Sequence, residues 1–177
     1  MALIRRVLSV AGLVLVCAAG NAQLTYERGI DWNLPESVRI RFEKNQTLAR
    51  YDLSDAVNPF YLRGDFDGDG KQDYAILVVN KITKRRLIAI VRTGSKDVDI
   101  IGGEGEKLLV GAGADAYPLD DFNWIDAWHV EGKPRPALKK GAASKMAGEG
   151  IMVEKTESGS ALIYWNGRTY QWKQLGD

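Results

Sequence analysis

The chain has 177 residues, a formal net charge of +1, one cysteine and one histidine. This nearly neutral charge gives no support for nucleic-acid binding, which relies on a clear excess of basic side chains. One cysteine, Cys17, and one histidine, His129, cannot build a cysteine-based zinc cluster or a multi-histidine metal site. Both of these metal-site classes are therefore excluded.

The first 22 residues follow the three-part pattern of a secretory signal peptide. Arg5 and Arg6 provide the positive start, residues 7–19 are mainly apolar, and small residues at 20–22 form a cleavage site. The apolar stretch is shorter than the ~20 residues that cross a bilayer. We therefore predict cleavage before Gln23 and a periplasmic or secreted protein that has no membrane anchor after cleavage.

The predicted mature chain, residues 23–177, has the size of one domain. Its 155 residues carry 22 basic and 23 acidic side chains, so its formal net charge is −1. Chains of ~100–150 residues commonly fold as a single domain. Cys17 leaves with the signal peptide, so the exported domain lacks disulfides and depends on its core, helped by any metal that it binds.

The predicted elements are one short helix followed by β-strands. Residues 34–46 fit both a strand and a helix pattern, and we predict a helix because Pro35 and Glu36 suit a first helical turn. Later segments have the apolar, β-branched composition of strands, separated by polar or glycine-rich turns. The predicted strands are Phe60–Arg63, Tyr74–Val79, Arg86–Arg92, Val98–Ile101 and Lys107–Val110.

A β-hairpin is predicted at the C-terminus. Asn166-Gly167 is typical of a two-residue type I′ turn, and Ile151–Val153 is predicted as a third strand beside the hairpin. The whole chain is thus predicted as an α+β domain that is mainly antiparallel β. A two-residue loop sets three cross-strand pairs and lets Arg168 lie over Trp165. The pairs are Trp165 with Arg168, Ile163 with Tyr170, and Ala161 with Trp172.

An acidic loop lies between two predicted strands. Its aspartates occupy positions 1, 3, 5 and 9 of a segment that also contains two glycines. Calcium takes ~6–8 oxygen ligands, and alternate residues of a tightly curled loop turn their carboxylates to one centre. Magnesium fits less well because it retains its waters, and a solvated Asp/Gly turn without metal is the alternative. The predicted calcium ligands are the side chains of Asp65, Asp67, Asp69 and Asp73 and the main-chain carbonyl of Lys71.

The segment Gly64–Leu77 resembles the calcium loop of FG-GAP/VCBS-type repeats, as found in integrin-like β-propellers. The four aspartates and Gly70 match its Asp-x-Asp-x-Asp-Gly-x-x-Asp pattern, which leads into an apolar strand. The resemblance implies the same ligand set: four aspartate side chains and the Lys71 carbonyl. An EF-hand is not expected, because Ile76 stands where that motif needs its twelfth-position acid. Since no repeats are visible, a full propeller is not expected either.

A second group of polar residues raises the question of catalysis. It contains four aspartates and a histidine near Trp124 and Trp128, and one interpretation is a glycosidase acid–base pair with aromatic sugar contacts. The other interpretation is core packing by the aromatic residues and turn formation by the acids, which we favour because no recognised catalytic spacing is present. The polar members are Asp115, Asp120, Asp121, Asp126 and His129.

These features favour an exported calcium-binding module without enzymatic activity, which binds or inhibits another protein of the envelope or the extracellular space. A basic stretch within residues 132–150 suits a solvated loop or an acidic partner. The alternative is a small calcium-stabilised hydrolase that acts on cell-wall or extracellular polysaccharide through the acids at 115–126. A third hypothesis is a structural or adhesive domain.

Overall fold

The computed structural model describes residues 33–103, 108–110, 117–132 and 146–176. The predicted signal peptide, Asp115 and most of the basic stretch lie outside these residues. Within the described ranges, no helix combines the length and apolar character needed to span a membrane.

One helix and eleven strands make up the regular structure of these residues. Helix α1 spans Glu36–Lys44 and a 3-10 turn follows at Leu48–Arg50. The strands are β1 (Tyr51–Leu53), β2 (Tyr61–Gly64), β3 (Asp73–Asn80), β4 (Arg86–Val91), β5 (Val98–Ile101), β6 (Leu109–Val110), β7 (Tyr117–Pro118), β8 (Ala127–Glu131), β9 (Gly150–Lys155), β10 (Gly159–Trp165) and β11 (Tyr170–Gly176).

Two antiparallel sheets dominate the architecture. In the first sheet, β3 pairs with β4, β4 pairs with β5, and both β1 and β2 pair with β3. β1 pairs with the end of β3, through Tyr51 and Asn80, whereas β2 pairs with its beginning, through Gly64 and Asp73. The second sheet has the order β11-β10-β9-β8, and β6 and β7 form a separate small ribbon.

The first sheet is covered on both faces. One face, which includes Leu77 and Ile88, packs against residues of the second sheet such as Val153. The opposite face, which includes Val78, packs under α1 through Val38. Complete burial of each such side chain contributes about 1.5–3 kcal/mol. Burial on both faces explains why β3 and β4 are nearly continuous apolar runs instead of alternating patterns.

The predicted fold class is confirmed, since the domain is compact and mostly antiparallel β with little helix. The ambiguous segment at 34–46 contains α1, and strands are present at each predicted strand position that falls within the described residues. The C-terminal hairpin and its third strand, β9, are also present.

The predicted register of that hairpin is wrong by two residues. Trp165 pairs with Tyr170 instead of Arg168, and Ile163 pairs with Trp172. The reason is that the Asn166 side chain accepts N–H bonds from Arg168 at 2.8 Å and from residue 169 at 2.9 Å, which closes a four-residue loop. A two-residue shift leaves the same side chains on each face.

The predicted contact of Arg168 with Trp165 is not formed, and a different arginine, Arg92, lies over the Trp165 ring. Arg168 is exposed, and the guanidinium of Arg92 lies 5.8 Å from the Trp165 ring centroid. The Trp165 ring also packs against Tyr170, with centroids 4.8 Å apart. This end of the hairpin therefore approaches the first sheet at the end of β4, next to the acidic loop.

Candidate metal centre

The acidic loop connects the end of β2 to the beginning of β3. Because Gly64 pairs with Asp73 across these antiparallel strands, the loop begins and ends at one point of the sheet. Gly68 and Gly70 have φ angles of 83° and 84°, which lie in the left-handed region where glycine is favoured. Strand pairing and glycine geometry therefore fold residues 65–72 back on themselves.

Three of the predicted ligands come together in this loop. Carboxylate oxygens of Asp65, Asp67 and Asp73 all lie within 4.8 Å of one another, and we call these residues the three-carboxylate group. Asp65 and Asp67 are half-buried, and Asp73 is buried. At such separations the carboxylates repel one another unless a cation or a proton neutralises part of the charge. The three-carboxylate group can hold a metal ion.

Main-chain N–H groups orient the first two carboxylates. Asp65 accepts hydrogen bonds from Gly68 N–H at 2.7 Å and from Gly70 N–H at 3.2 Å. Asp67 accepts one from Asp69 N–H at 3.1 Å. These bonds hold the side chains on the inner side of the loop, and carboxylates accept such bonds while they keep lone pairs for a cation.

Asp73 is held at the base of the loop. Its Oδ1 accepts from Thr93 N–H at 2.8 Å and its Oδ2 accepts from Phe66 N–H at 3.1 Å. The pKa of Asp73 is raised to about 6, mainly by burial and also by the nearby Asp67 charge, while the hydrogen bond from Thr93 N–H opposes the shift. This carboxyl therefore exchanges its proton close to neutral pH, where a bound cation would displace it.

Asp69 lies outside the three-carboxylate group in this conformation. Its carboxylate accepts hydrogen bonds from the Lys71 ammonium at 2.7 Å and from Lys71 N–H at 2.8 Å. The hydrogen bond from the ammonium group lowers the pKa of Asp69 and is the largest cause of that shift. Both side chains are exposed to solvent, so Asp69 is free to rotate if it exchanges Lys71 for an ion. The assignment of Asp69 and of the Lys71 carbonyl as ligands stays a prediction.

The segment immediately before β9 contributes a residue, Glu149, that sequence reasoning missed. The Glu149 carboxylate accepts from Asp65 N–H at 2.8 Å, and Glu149 N–H donates to the Asp65 carbonyl at 2.6 Å. A side chain at the adjacent Gly148 would overlap the Asp65 carbonyl oxygen, so the two segments approach closely. Asp65 and Glu149 are 84 positions apart in the sequence. The sequence signal for such a close approach was the pair of glycines at 148 and 150.

Arg92 is the second missed residue. It follows β4, and its guanidinium lies 3.7 Å from Asp67 Oδ2 and 2.8 Å from Asp99 Oδ2. Burial raises the pKa of Asp99, and the Arg92 charge opposes that shift. The arginine is therefore shared between a carboxylate of the loop and one on β5.

Comparisons with known proteins give no further identification. No family model, curated protein or solved structure matched this chain.

The acids of the second group have separate local partners. Asp126 accepts from Lys155 Nζ at 2.9 Å and from Thr156 N–H at 2.8 Å, and the Lys155 bond is the main reason that its pKa is lowered to about 2. Asp121 accepts from the N–H of residue 123, and Asp120 lies 3.5 Å from the guanidinium of residue 85. His129 is exposed. The described acids thus cap turns and pair with surface cations.

Proposed function

We propose that this protein is an exported calcium-binding module without enzymatic activity, which binds or inhibits another protein of the cell envelope or the extracellular space. The observation that carries the proposal is the three-carboxylate group, with ligand atoms within 4.8 Å of one another. Oxygen-only donors favour hard cations such as calcium over the softer transition metals.

Calcium fits this loop better than magnesium. Calcium accepts irregular shells of ~6–8 oxygens at ~2.3–2.6 Å, whereas magnesium demands near-octahedral geometry and keeps several waters. In the calcium-bound loop, Asp69 would leave the Lys71 ammonium and join the three-carboxylate group, and the Lys71 carbonyl would supply a main-chain oxygen. The resemblance to FG-GAP/VCBS-type loops supports the same ligand set.

The proposed role of the ion is structural. The loop joins β2 to β3 in the first sheet and is bonded through Asp65 to Glu149, immediately before β9 of the second sheet. Neutralising the loop would therefore stabilise the junction of the two sheets. Such an ion would also suit an exported domain that has lost Cys17, since metal binding contributes directly to folding free energy.

The environments of Asp121 and Asp126 argue against the hydrolytic alternative at the second group of acids. A glycosidase needs two carboxyls that flank a cleft, one of which keeps its proton near neutral pH. The pKa of Asp126 is lowered to about 2, and its carboxylate accepts hydrogen bonds from Lys155 and Thr156. Asp126 is therefore ionised and already paired with these two residues. Asp121 accepts a main-chain hydrogen bond in a turn.

Calorimetry tests the ion assignment. We expect the exported, purified wild-type protein to bind calcium with a Kd of ~10⁻⁴–10⁻³ M and to bind magnesium more weakly. Asp67→Asn removes one charge from the three-carboxylate group and is expected to weaken binding. Asp55→Asn is the matched control, because Asp55 is exposed and lies outside the loop. The absence of calcium binding by the wild type at millimolar concentrations would overturn the assignment.

A second experiment tests the binding role. Immobilised wild-type protein is incubated with envelope extract in calcium or in chelator, and retained proteins are identified and then purified for a direct binding assay. We expect a partner that binds the wild type in calcium and binds Asp67→Asn less tightly. Turnover of peptidoglycan fragments by the wild type, lost in a folded Asp121→Asn variant, would instead establish the hydrolase alternative.

A further inference from the structure

A partly buried arginine lies beside the three-carboxylate group. The Arg92 side chain is 21% exposed, and its guanidinium contacts Asp67 at 3.7 Å, Asp99 at 2.8 Å and the face of Trp165 at 5.8 Å. The Arg92 carbonyl also accepts from Arg41 Nη1 at 2.8 Å. Asp99 of the first sheet and Trp165 of the second sheet therefore position the guanidinium, and α1 contacts the main chain of the same residue.

The position of Arg92 has two electrostatic consequences of opposite sign. Without a metal, its positive charge attracts Asp67 and offsets the repulsion within the three-carboxylate group. With a metal, the same charge repels the ion and competes with it for the Asp67 carboxylate. Charges that are partly buried interact more strongly than exposed ones, because solvent and salt screen them less.

We propose that Arg92 is a built-in counter-ion of the candidate metal centre, which stabilises the metal-free loop and thereby limits its calcium affinity. This inference rests on the proposed calcium site and deepens it, since it assigns the residue that sets the affinity. Arg92 is a positioning residue in this scheme, because it acts through Asp67 and never contacts the ion.

Asp99 holds Arg92 in this role. It lies on β5, and its carboxylate contacts the guanidinium at 2.8 Å and 3.4 Å. Replacing Asp99 with asparagine removes the competing negative charge and leaves Arg92 with Asp67 as its remaining carboxylate within 4 Å among the described residues. The substitution is nearly isosteric, so its effect is mainly one of charge.

Calorimetric titration with calcium chloride at low ionic strength tests the proposal. We expect the Kd of Arg92→Met to be about tenfold lower than that of the wild type. A single and a double positive charge ~6 Å apart in a water-like dielectric repel each other with an energy that corresponds to about a tenfold change in Kd. The Kd of Asp99→Asn should rise, and that of the double variant should return towards the wild-type value. In chelator, Arg92→Met should melt at a lower temperature than the wild type, since Asp67 and Asp99 lose their shared cation.

Two further variants separate charge from packing. Arg92→Lys keeps the charge and is expected to retain a Kd close to that of the wild type. Arg85→Met removes an arginine that lies immediately before β4, at the strand end opposite Arg92, and pairs with exposed Asp120; it should leave the Kd unchanged. Circular dichroism in calcium establishes that each variant is folded.

The outcomes distinguish this inference from the proposed function. No calcium binding by the wild type overturns the proposed function itself. Calcium binding by the wild type, with equal or weaker binding by folded Arg92→Met, overturns the role of Arg92 alone. If Arg92→Met does not fold, Arg92→Gln takes its place: a Kd equal to or above the wild-type value overturns the inference, and a lower Kd supports it.

Discussion

Calcium binding is expected to weaken as the pH falls through about 6, because calcium and a proton compete for the Asp73 carboxylate. Asp73 is buried, and burial is the main cause that raises its pKa to about 6. The Asp67 charge acts in the same direction, while the N–H groups of Thr93 and Phe66 stabilise the ionised form and limit the shift. The metal-free loop therefore takes up a proton at a pH where an ordinary aspartate is ionised.

The size of the effect follows from this pKa. A site that requires one ionised carboxyl loses affinity as the protonated fraction grows, about twofold at pH 6 and about tenfold at pH 5 relative to pH 7.5. The sign is fixed, since the folded-state pKa is raised: the proton stabilises the metal-free fold below pH 6 and opposes calcium there. An aspartate with an ordinary pKa of ~3.9 would give almost no change over the same range.

The assay is calorimetric titration with calcium at pH 7.5, 6 and 5. Asp73→Asn should bind calcium weakly and without this pH dependence, because its side chain has no proton to exchange. Histidine ordinarily titrates in the same interval, so His129→Gln is the control and should keep the wild-type profile. A wild-type Kd that is equal at pH 5 and 7.5 would refute the reasoning.

Three further predictions concern the loop and the chain terminus. Calcium at ten times its Kd is expected to stabilise the wild type by about 1.4 kcal/mol, or about 3–6 °C in Tm; Asp69→Ala should weaken binding and lose most of this rise in scanning calorimetry, and an unchanged rise would remove Asp69 from the ligand set. Gly148→Ala should destabilise the fold by about 1–3 kcal/mol in chemical denaturation, because its methyl group overlaps the Asp65 carbonyl; Gly132→Ala, where there is open space, should not. N-terminal sequencing of protein recovered outside the cytoplasm should begin at or near Gln23, and an uncleaved chain would contradict the predicted signal peptide.

The fold was predictable where local sequence and burial agree. The apolar runs that became β3 and β4 are buried on both faces, so their composition alone marks them as central strands. The hairpin was predictable from Asn166 and Gly167, but its register was not. The register depends on which groups close the turn: the Asn166 side chain accepts two N–H bonds, and Asn166 N–H donates to the carbonyl of Thr169 at 3.2 Å.

The candidate site was predictable only in part, because some of its contacts join residues that are close in the sequence and others join residues that are far apart. Asp65, Asp67 and Asp73 share a short segment whose glycines and strand pairing bring them together. Glu149 reaches the loop through the packing of the two sheets, and Arg92 reaches it through the pairing of β4 with β3, which sets Val91 opposite Tyr74. Both contacts depend on tertiary structure, so a sequence motif for the loop cannot contain them.

The two cations beside the loop differ in how strongly they should oppose an ion. Lys71 pairs with Asp69 at the surface, where solvent and salt screen the charges, so we expect Lys71 to oppose the recruitment of Asp69 by calcium only weakly. Arg92 contacts Asp99 and Trp165 in a partly buried position beside Asp67. We therefore expect Arg92 to oppose a bound ion more strongly than Lys71 does. For this reason Arg92→Met should change the Kd more than Lys71→Met, although each removes one positive charge.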